Sequence, residues 1–307
     1  MAGFALFVVR RLLGIAALAW LSTLAAFGLF HAGVPNRAAD AQLNAQLGPG
    51  KPITWQYFHY LVRLLHGDLG QSLTQGLSVD ALLWRALPPT LSLMIGGLVL
   101  WLAIGVLAGI VSALRPGSLA DRIIIGGTLT AMIVPTFLAA LLLLELSAYL
   151  NRFGWLWLQS GYVPFSHNPG AWLGRMILPW IAVAATQAGL TARITRSAIL
   201  DVLSEDYIRM ARAKGVDRRR ILLRHVLRPA VIPVITTAAA GFGTLLGAAA
   251  IVDETFALNG IGQALLTAVK TGDLMTIMGT VLITVILICL ASLLADIAQK
   301  ILDPQVT

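Results

Sequence analysis

The sequence predicts an all-α, polytopic membrane protein with six transmembrane helices, and three observations carry that class. Of 307 residues, 58% are hydrophobic, against roughly 45–50% in soluble domains. Only 12% are charged, against about 25%, and the mean hydropathy is +0.82. Third, six stretches free of Asp, Glu, Lys and Arg (12–36, 86–114, 123–144, 176–192, 229–252 and 274–295) meet or approach the length that crosses a bilayer, which is about 20 residues for a core about 30 Å thick. One such stretch would suit a buried helix of a soluble protein; six leave too little polar surface to keep a globule dispersed.

With their flanks the spans are expected at about 9–31, 88–113, 123–149, 173–195, 230–252 and 274–297, within a single domain over 1–307. The first follows Arg10-Arg11 and resembles a signal peptide. Its apolar run outlasts the roughly 7–15 residues of a signal core, so a retained helix is expected. Span two carries Gly105 and Gly109, and span five Gly243 and Gly247, spacings that allow close helix packing. Pro135 in span three removes a backbone donor and predicts a kink. Span four is the shortest, and Trp172, Leu173 and Ile194 extend it.

Lys and Arg set the orientation. With the N-terminus inside, 15 of the 22 fall in inner segments and seven in outer ones. Ten lie within Arg193–Arg228 alone, so both termini are expected in the cytoplasm. Trp55, Trp84, Trp155, Trp157 and Trp172 then fall outside, either as an interfacial belt or as simple loop packing.

Two connections exceed a simple turn, an outer loop at 32–87 and a cytoplasmic loop at 196–229. In the first, Ile53–Leu65 sets Trp55, Phe58, Val62 and Leu65 on one helical face. That face suits either the membrane surface or packing on other spans. In the second, Ser204 is expected as an N-cap with Glu205 and Asp206 in the first turn. Gly215 is expected as a left-handed C-terminal residue, and Asp217 as the cap of a second helix reaching about Arg228. Positive-inside topology alone would explain the basic residues, but not two capped helices with Ala211, Ala213 and Gly215 at the turn. A docking element for another protein explains both. A DNA-reading helix pair is disfavoured, because the second helix leads directly into Pro229 and span five.

Catalysis by the chain itself has no support. There is no P-loop, no G-x-S-x-G elbow and no H-E-x-x-H pair. One cysteine excludes a multi-Cys metal site, and the five histidines (31, 59, 66, 167, 225) lack ligand spacing. Glu145, Asp253, Glu254 and Asp296 sit near span ends rather than at a midplane, which weakens an ion-coupled transporter.

Against this background Tyr207, Ala211, Ala213, Lys214 and Gly215, followed by Pro233, resemble the cytoplasmic signature of ABC importer permeases of the dipeptide/oligopeptide branch. Further matching elements are Arg10-Arg11-Leu12-Leu13, Gly67-Asp68-Leu69-Gly70-Gln71-Ser72, Pro89-Thr90-Leu91, Glu254-Thr255-Phe256, Gly260-Ile261-Gly262 and Asp303-Pro304. Each is weak alone, and their order along the chain is specific. Two positions depart from the pattern: Arg209 stands where the family has an acidic residue, and Val34-Pro35-Asn36-Arg37 where it often has Pro-Gly-Asp-Pro.

The resemblance implies a type I ABC importer permease fold with a cytoplasmic coupling helix at 204–216. It implies a second homologous permease subunit, two ABC ATPase subunits holding ATP and Mg, an extracytoplasmic substrate-binding protein and a peptide substrate. No cofactor or metal is expected in this chain, and no nucleic acid. It assigns ATPase coupling to Tyr207, Ile208, Arg209, Ala211, Arg212, Ala213, Lys214, Gly215 and Asp217, with Tyr207 and Ile208 as apolar anchors. Binding-protein contact falls on Gly67, Asp68, Asp253, Glu254, Asn259 and Gly260. Nickel, a glutathione-like peptide or an opine are alternative solutes for the same architecture.

Overall fold

The computed structural model describes residues 2–33, 45–48, 50–72, 74–154 and 157–302. Val34–Arg37, Trp155, Asp303-Pro304 and the side chain of His31 lie outside the described set. The described residues are almost entirely helical. In order they form α1 (Ala2–Gly33), α2 (Ile53–Leu65), α3 (Val79–Leu114), α4 (Leu119–Ile133), α5 (Thr136–Arg152), α6 (Pro169–Ser204) and α7 (Asp206–Ala213). A turn at Arg218–Arg220 and a π-helical segment at Ile221–Val226 lead into α8 (Leu227–Phe256), followed by α9 (Ile261–Thr271) and α10 (Leu274–Leu302). Among the described residues five helices are long and apolar enough to cross a bilayer, or six if one bent pair is counted as a single span.

That bent pair is α4 and α5. Instead of the single kinked helix expected over 123–149, the chain turns by 103° between them. Pro135 lacks an N–H, and the residue before a proline is driven from the α region. Val134 accordingly sits at φ −71°, ψ 118° and ends α4, while Pro135 becomes the N-cap of α5.

The helices group into two compact units, residues 1–91 with 257–290, and residues 92–256 with 291–307. In the first, Phe27, Leu47, Tyr60, Val79, Leu83, Leu274, Met275 and Met278 form the core. Helix α2 buries Gln56 and Tyr60, while Phe58 and Leu65 are exposed and Trp55 stacks on His59 at 5.0 Å. The apolar face is thus turned away from the unit's own core. The Gly-Asp-Leu-Gly-x-Ser element is spent internally. Arg63 binds Asp68 at 2.8 Å and the carbonyl of Gln46 at 3.0 Å. The Gly70 N–H donates to Asp68 at 2.9 Å. The Ser72 hydroxyl donates to the buried carboxylate of Asp273, which caps the start of α10 and also accepts from Thr74 at 2.9 Å and Thr276 at 3.0 Å. Burial alone would raise the Asp68 carboxyl, but the Gly70 amide and the Arg63 guanidinium hold it below its ordinary value.

In the second unit α3 lies directly on α6. A Cβ added at Gly97 would stand 2.5 Å from Val183, at Gly105 2.7 Å from Thr191, and at Gly109 2.5 Å from Thr195. The expected small-residue contact is therefore present at Gly105 and Gly109. It is absent at Gly243 and Gly247, which have no described neighbour within 4 Å of such an atom. Their spacing permits close approach but cannot supply a partner. The fully buried Trp101 locks the interface, its indole donating to Thr191 at 2.6 Å.

Gly109→Val should destabilise the chain by about 2 kcal/mol, because overpacking here meets the buried Thr195 Cβ and, at 2.7 Å, the backbone carbonyl of Ala192, neither of which is a movable side-chain tip. Gly243→Ala, with no clash and a better helix former, should keep or slightly raise the unfolding midpoint in detergent. Equal midpoints for the two variants would refute this account of the α3–α6 contact.

Candidate functional site

The inner loop begins where α6 stops. Ser204 is the last residue of α6, its hydroxyl donating to the Asp201 carbonyl at 2.7 Å. It is not the N-cap expected from the sequence. Glu205, extended at φ −67°, ψ 145°, breaks the chain between α6 and α7, and Asp206 occupies the first turn of α7 where the helix dipole favours a negative charge.

The end of α7 is closed by a full Schellman motif. Gly215 adopts φ +76°. Its N–H donates to the Arg212 carbonyl at 3.0 Å, and the Val216 N–H donates to Ala211 at 3.2 Å. Asp217 then caps the next turn, its carboxylate accepting from the N–H groups of Arg219 at 3.0 Å and Arg220 at 3.3 Å. Pro229 cannot donate to the carbonyl four residues back, and the ladder before it widens into the π segment. From Arg218 the helical path continues to Phe256, so the second short helix is the root of a span.

Burial divides the signature residues into two sets. Ile208 is completely buried in a cluster with Ala113, Ile199, Ile221, Val226 and Ala230, against which Ala211 and Val216 also pack. Ile208 therefore anchors α7 to its own bundle, and the expected contact of its side chain with an ATPase is not possible. The outward face presents Tyr207, Arg209, Met210, Arg212, Ala213, Lys214 and Gly215. Met210, 58% exposed, was not among the sequence candidates. Its signal was its position three residues after Tyr207 and four before Lys214, on one helical face. Arg209 pairs with Asp206 at 3.4 Å, both strongly exposed.

A second group missed by the sequence reading braces the same end of the bundle. Asp121, in the first turn of α4, is buried and accepts from Arg196 of α6 at 2.9 and 3.0 Å, from the Gly117 N–H at 2.8 Å, and from the Ser112 hydroxyl. One carboxylate ties the ends of α3, α4 and α6 together. The only hint in the sequence is that Ser118 can cap a helix carrying Asp121 three residues on, and Ser118 does accept from the Asp121 N–H at 3.2 Å.

Of the residues assigned to the binding protein, Gly67 is exposed at φ +79° in the first unit, and Asp68 is exposed though committed to Arg63. In the same unit Asn259 is exposed at φ +60°. Gly260 is buried as the N-cap of α9, beside Ile261, whose N–H donates to Thr90 at 2.8 Å. In the second unit Glu254 is half-buried and Asp253 is 2% exposed. Asp253 thus cannot offer its charge to a docking protein, a correction to its expected role. Among the described residues no three His, Cys, Asp or Glu side chains converge as metal ligands.

Several apolar helices and a short helix, closed at its C-terminal end, on one connection have the layout of a membrane transport permease. Residues 105–307 match the family described as "Binding-protein-dependent transport system inner membrane component", and the chain belongs to that family. It is therefore a multi-pass membrane protein and the permease component of an ABC transporter. Among its relatives, a putative peptide transport system permease protein of Brucella abortus is 34% identical over 265 residues, covering 86% of this chain and 83% of that protein. The dipeptide transport system permease protein DppB of Escherichia coli is 32% identical over 290 residues, covering 87% and 84%. The fold is that of an inward-facing methionine ABC transporter, MetNI, with a TM-score of 0.56 at 20% identity over 73% of this chain and 97% of that one.

Proposed function

We propose that this chain is the subunit through which di- and oligopeptides cross the cytoplasmic membrane, with both termini inside. A second homologous permease completes the pathway, two ATPase subunits bind ATP and Mg, and an extracytoplasmic binding protein delivers the peptide. The observation that carries the reading is the α7 element. Its inner face is bolted to the bundle through Ile208 and Ala211, and its outer face is free at Tyr207, Met210, Ala213 and Lys214. A helix of eight residues has little stability of its own, so a load on its outer face passes through the apolar cluster to α3, α6 and α8. ATP-driven closure of the ATPases then shifts the population between inward- and outward-open bundles. The peptide assignment follows the names of the relatives, a putative peptide permease and a dipeptide permease, and Gly67, Asp68 and Asn259 are the exposed residues left for the binding protein.

Vesicles containing this chain with its partner subunits should accumulate labelled dipeptide only with ATP inside and binding protein outside. Accumulation of nickel or an opine, with no peptide uptake, would replace the substrate while leaving the architecture. Orientation is tested separately. A thiol introduced by Arg219→Cys should resist an impermeant maleimide in intact cells and react after permeabilisation, whereas the native Cys289 is buried. Labelling in intact cells would invert the topology.

A further inference from the structure

Within the second unit α4 and α6 leave an open groove of about 520 Å³, lined by Ile125, Leu190, Arg193, Ile194, Arg196 and Ser197. On both walls a charge-free run ends beside the groove. The charge-free run of span four ends at 192, immediately before Arg193, and that of span three begins at 123, immediately after Arg122. Ile125, Leu190 and Ile194 thus form an apolar floor at the membrane boundary, with polar groups along one rim.

Those polar groups carry no negative charge and all can donate: two guanidinium groups and a hydroxyl. Arg193 is exposed and makes no ion pair or hydrogen bond with a described residue. Arg196, which also lines the groove, spends Nε and Nη2 on Asp121, and its Nη1 has no described partner. The Ser197 hydroxyl has no described partner and is also exposed. Asp121 is consumed by Arg196, Ser112 and Gly117, and no carboxylate lines the groove.

We propose that this groove binds one anionic phospholipid, its phosphate held by Arg193, Arg196 and Ser197 and an acyl chain lying on Ile125, Leu190 and Ile194. The charge balance asks for an anion with acceptors only, and guanidinium groups suit phosphate oxygens. The apolar floor asks for hydrocarbon attached to that anion, which a soluble anion lacks. The Asp121–Arg196 tie holds the pocket in shape without occupant, so the ligand meets a prepared site.

The test is native mass spectrometry of the full chain in zwitterionic detergent, titrated with dioleoylphosphatidylglycerol or dioleoylphosphatidylcholine. The wild-type chain should retain one phosphatidylglycerol in preference to phosphatidylcholine. Arg193→Gln should lower that preference about fivefold, the usual effect of one basic residue near an anionic surface. Arg193→Lys should keep most of it, and Leu190→Trp, which fills the groove, should abolish retention of either lipid. If Arg193→Gln does not insert, Ser197→Ala carries the same comparison with a smaller loss. Equal retention of the two lipids by the wild type, unchanged preference in Arg193→Gln, or displacement of lipid by millimolar inorganic phosphate would overturn the proposal. So would high-yield disulfide trapping of Ile194→Cys against a cysteine in the second permease, because the occupant would then be a protein.

Discussion

A Gly215→Val chain should reach the membrane in normal amount yet lose ATP-coupled peptide uptake by roughly tenfold or more. Gly215 stands at φ +76°, where an L-residue costs about 1–2 kcal/mol and a β-branched one more. A Cβ there has no described atom within 4 Å, so the substitution clashes with nothing inside the chain. The strain acts on the backbone alone. It loosens the pair of hydrogen bonds from Gly215 and Val216 that closes α7, and about 1.4 kcal/mol lowers the closed-to-open ratio tenfold. A new side chain also projects from the exposed end, where a partner surface has to approach closely. The loss should therefore be graded: Asn, which tolerates the left-handed region, mildest, Ala intermediate and Val worst. Basal ATPase activity of the partner subunits should persist while its stimulation by loaded binding protein fails. Wild-type uptake by Gly215→Val would refute α7 as the coupling element.

The C-terminal end of this element and the cap that follows it were legible in the sequence because glycine and aspartate act through their own backbone. Gly215 and Asp217 need no knowledge of the rest of the fold to turn or cap a helix. The faces were not legible. Ile208 and Met210 are both apolar and lie two residues apart on an eight-residue helix, and either could point inward. What decides is the cluster around Ile199, Ile221 and Val226, assembled from distant parts of the chain. Ser204 was misplaced for a related reason. Ser, Glu and Asp in succession each suit a helix start, and only the continuation of α6 beyond the membrane boundary selects Glu205. The spans themselves were readable because charge is excluded from hydrocarbon whatever the packing. At Pro135 the break was readable but its 103° angle was not, since proline removes a hydrogen bond without specifying a new direction. Asp253 and Asp121 show the common limit. A carboxylate near a span end reads as hydrated, and whether it is instead buried depends on the helices around it.

Asp121→Asn should lower stability by about 3 kcal/mol, more than any other single polar change near the inner loop. Removing one partner of a buried pair strands the other's charge, at a cost of about 3–5 kcal/mol. The lower end applies because the Asp121 side chain is 3% exposed but Arg196 keeps 27% of its surface in contact with solvent. An amide in place of the carboxylate retains the size but directs an N–H at a guanidinium, so the Arg196 bonds cannot both survive. The double change Asp121→Asn with Arg196→Met should recover part of the loss, since no unpaired charge then remains. Arg209→Ala is the contrasting case. Its 3.4 Å pair with Asp206 joins two exposed side chains, and its removal should shift stability by less than about 0.5 kcal/mol. Equilibrium unfolding of the detergent-solubilised full chain separates these outcomes, and a wild-type midpoint for Asp121→Asn would show that the tie between α3, α4 and α6 bears no load. If the tie does bear load, its loss has a functional counterpart. On the coupling role proposed for α7, a stroke delivered to it would reach the spans through α3 and α6, and with these untied from α4 the movement would dissipate locally. Asp121→Asn should therefore hydrolyse more ATP per peptide transported even under conditions where the chain stays folded.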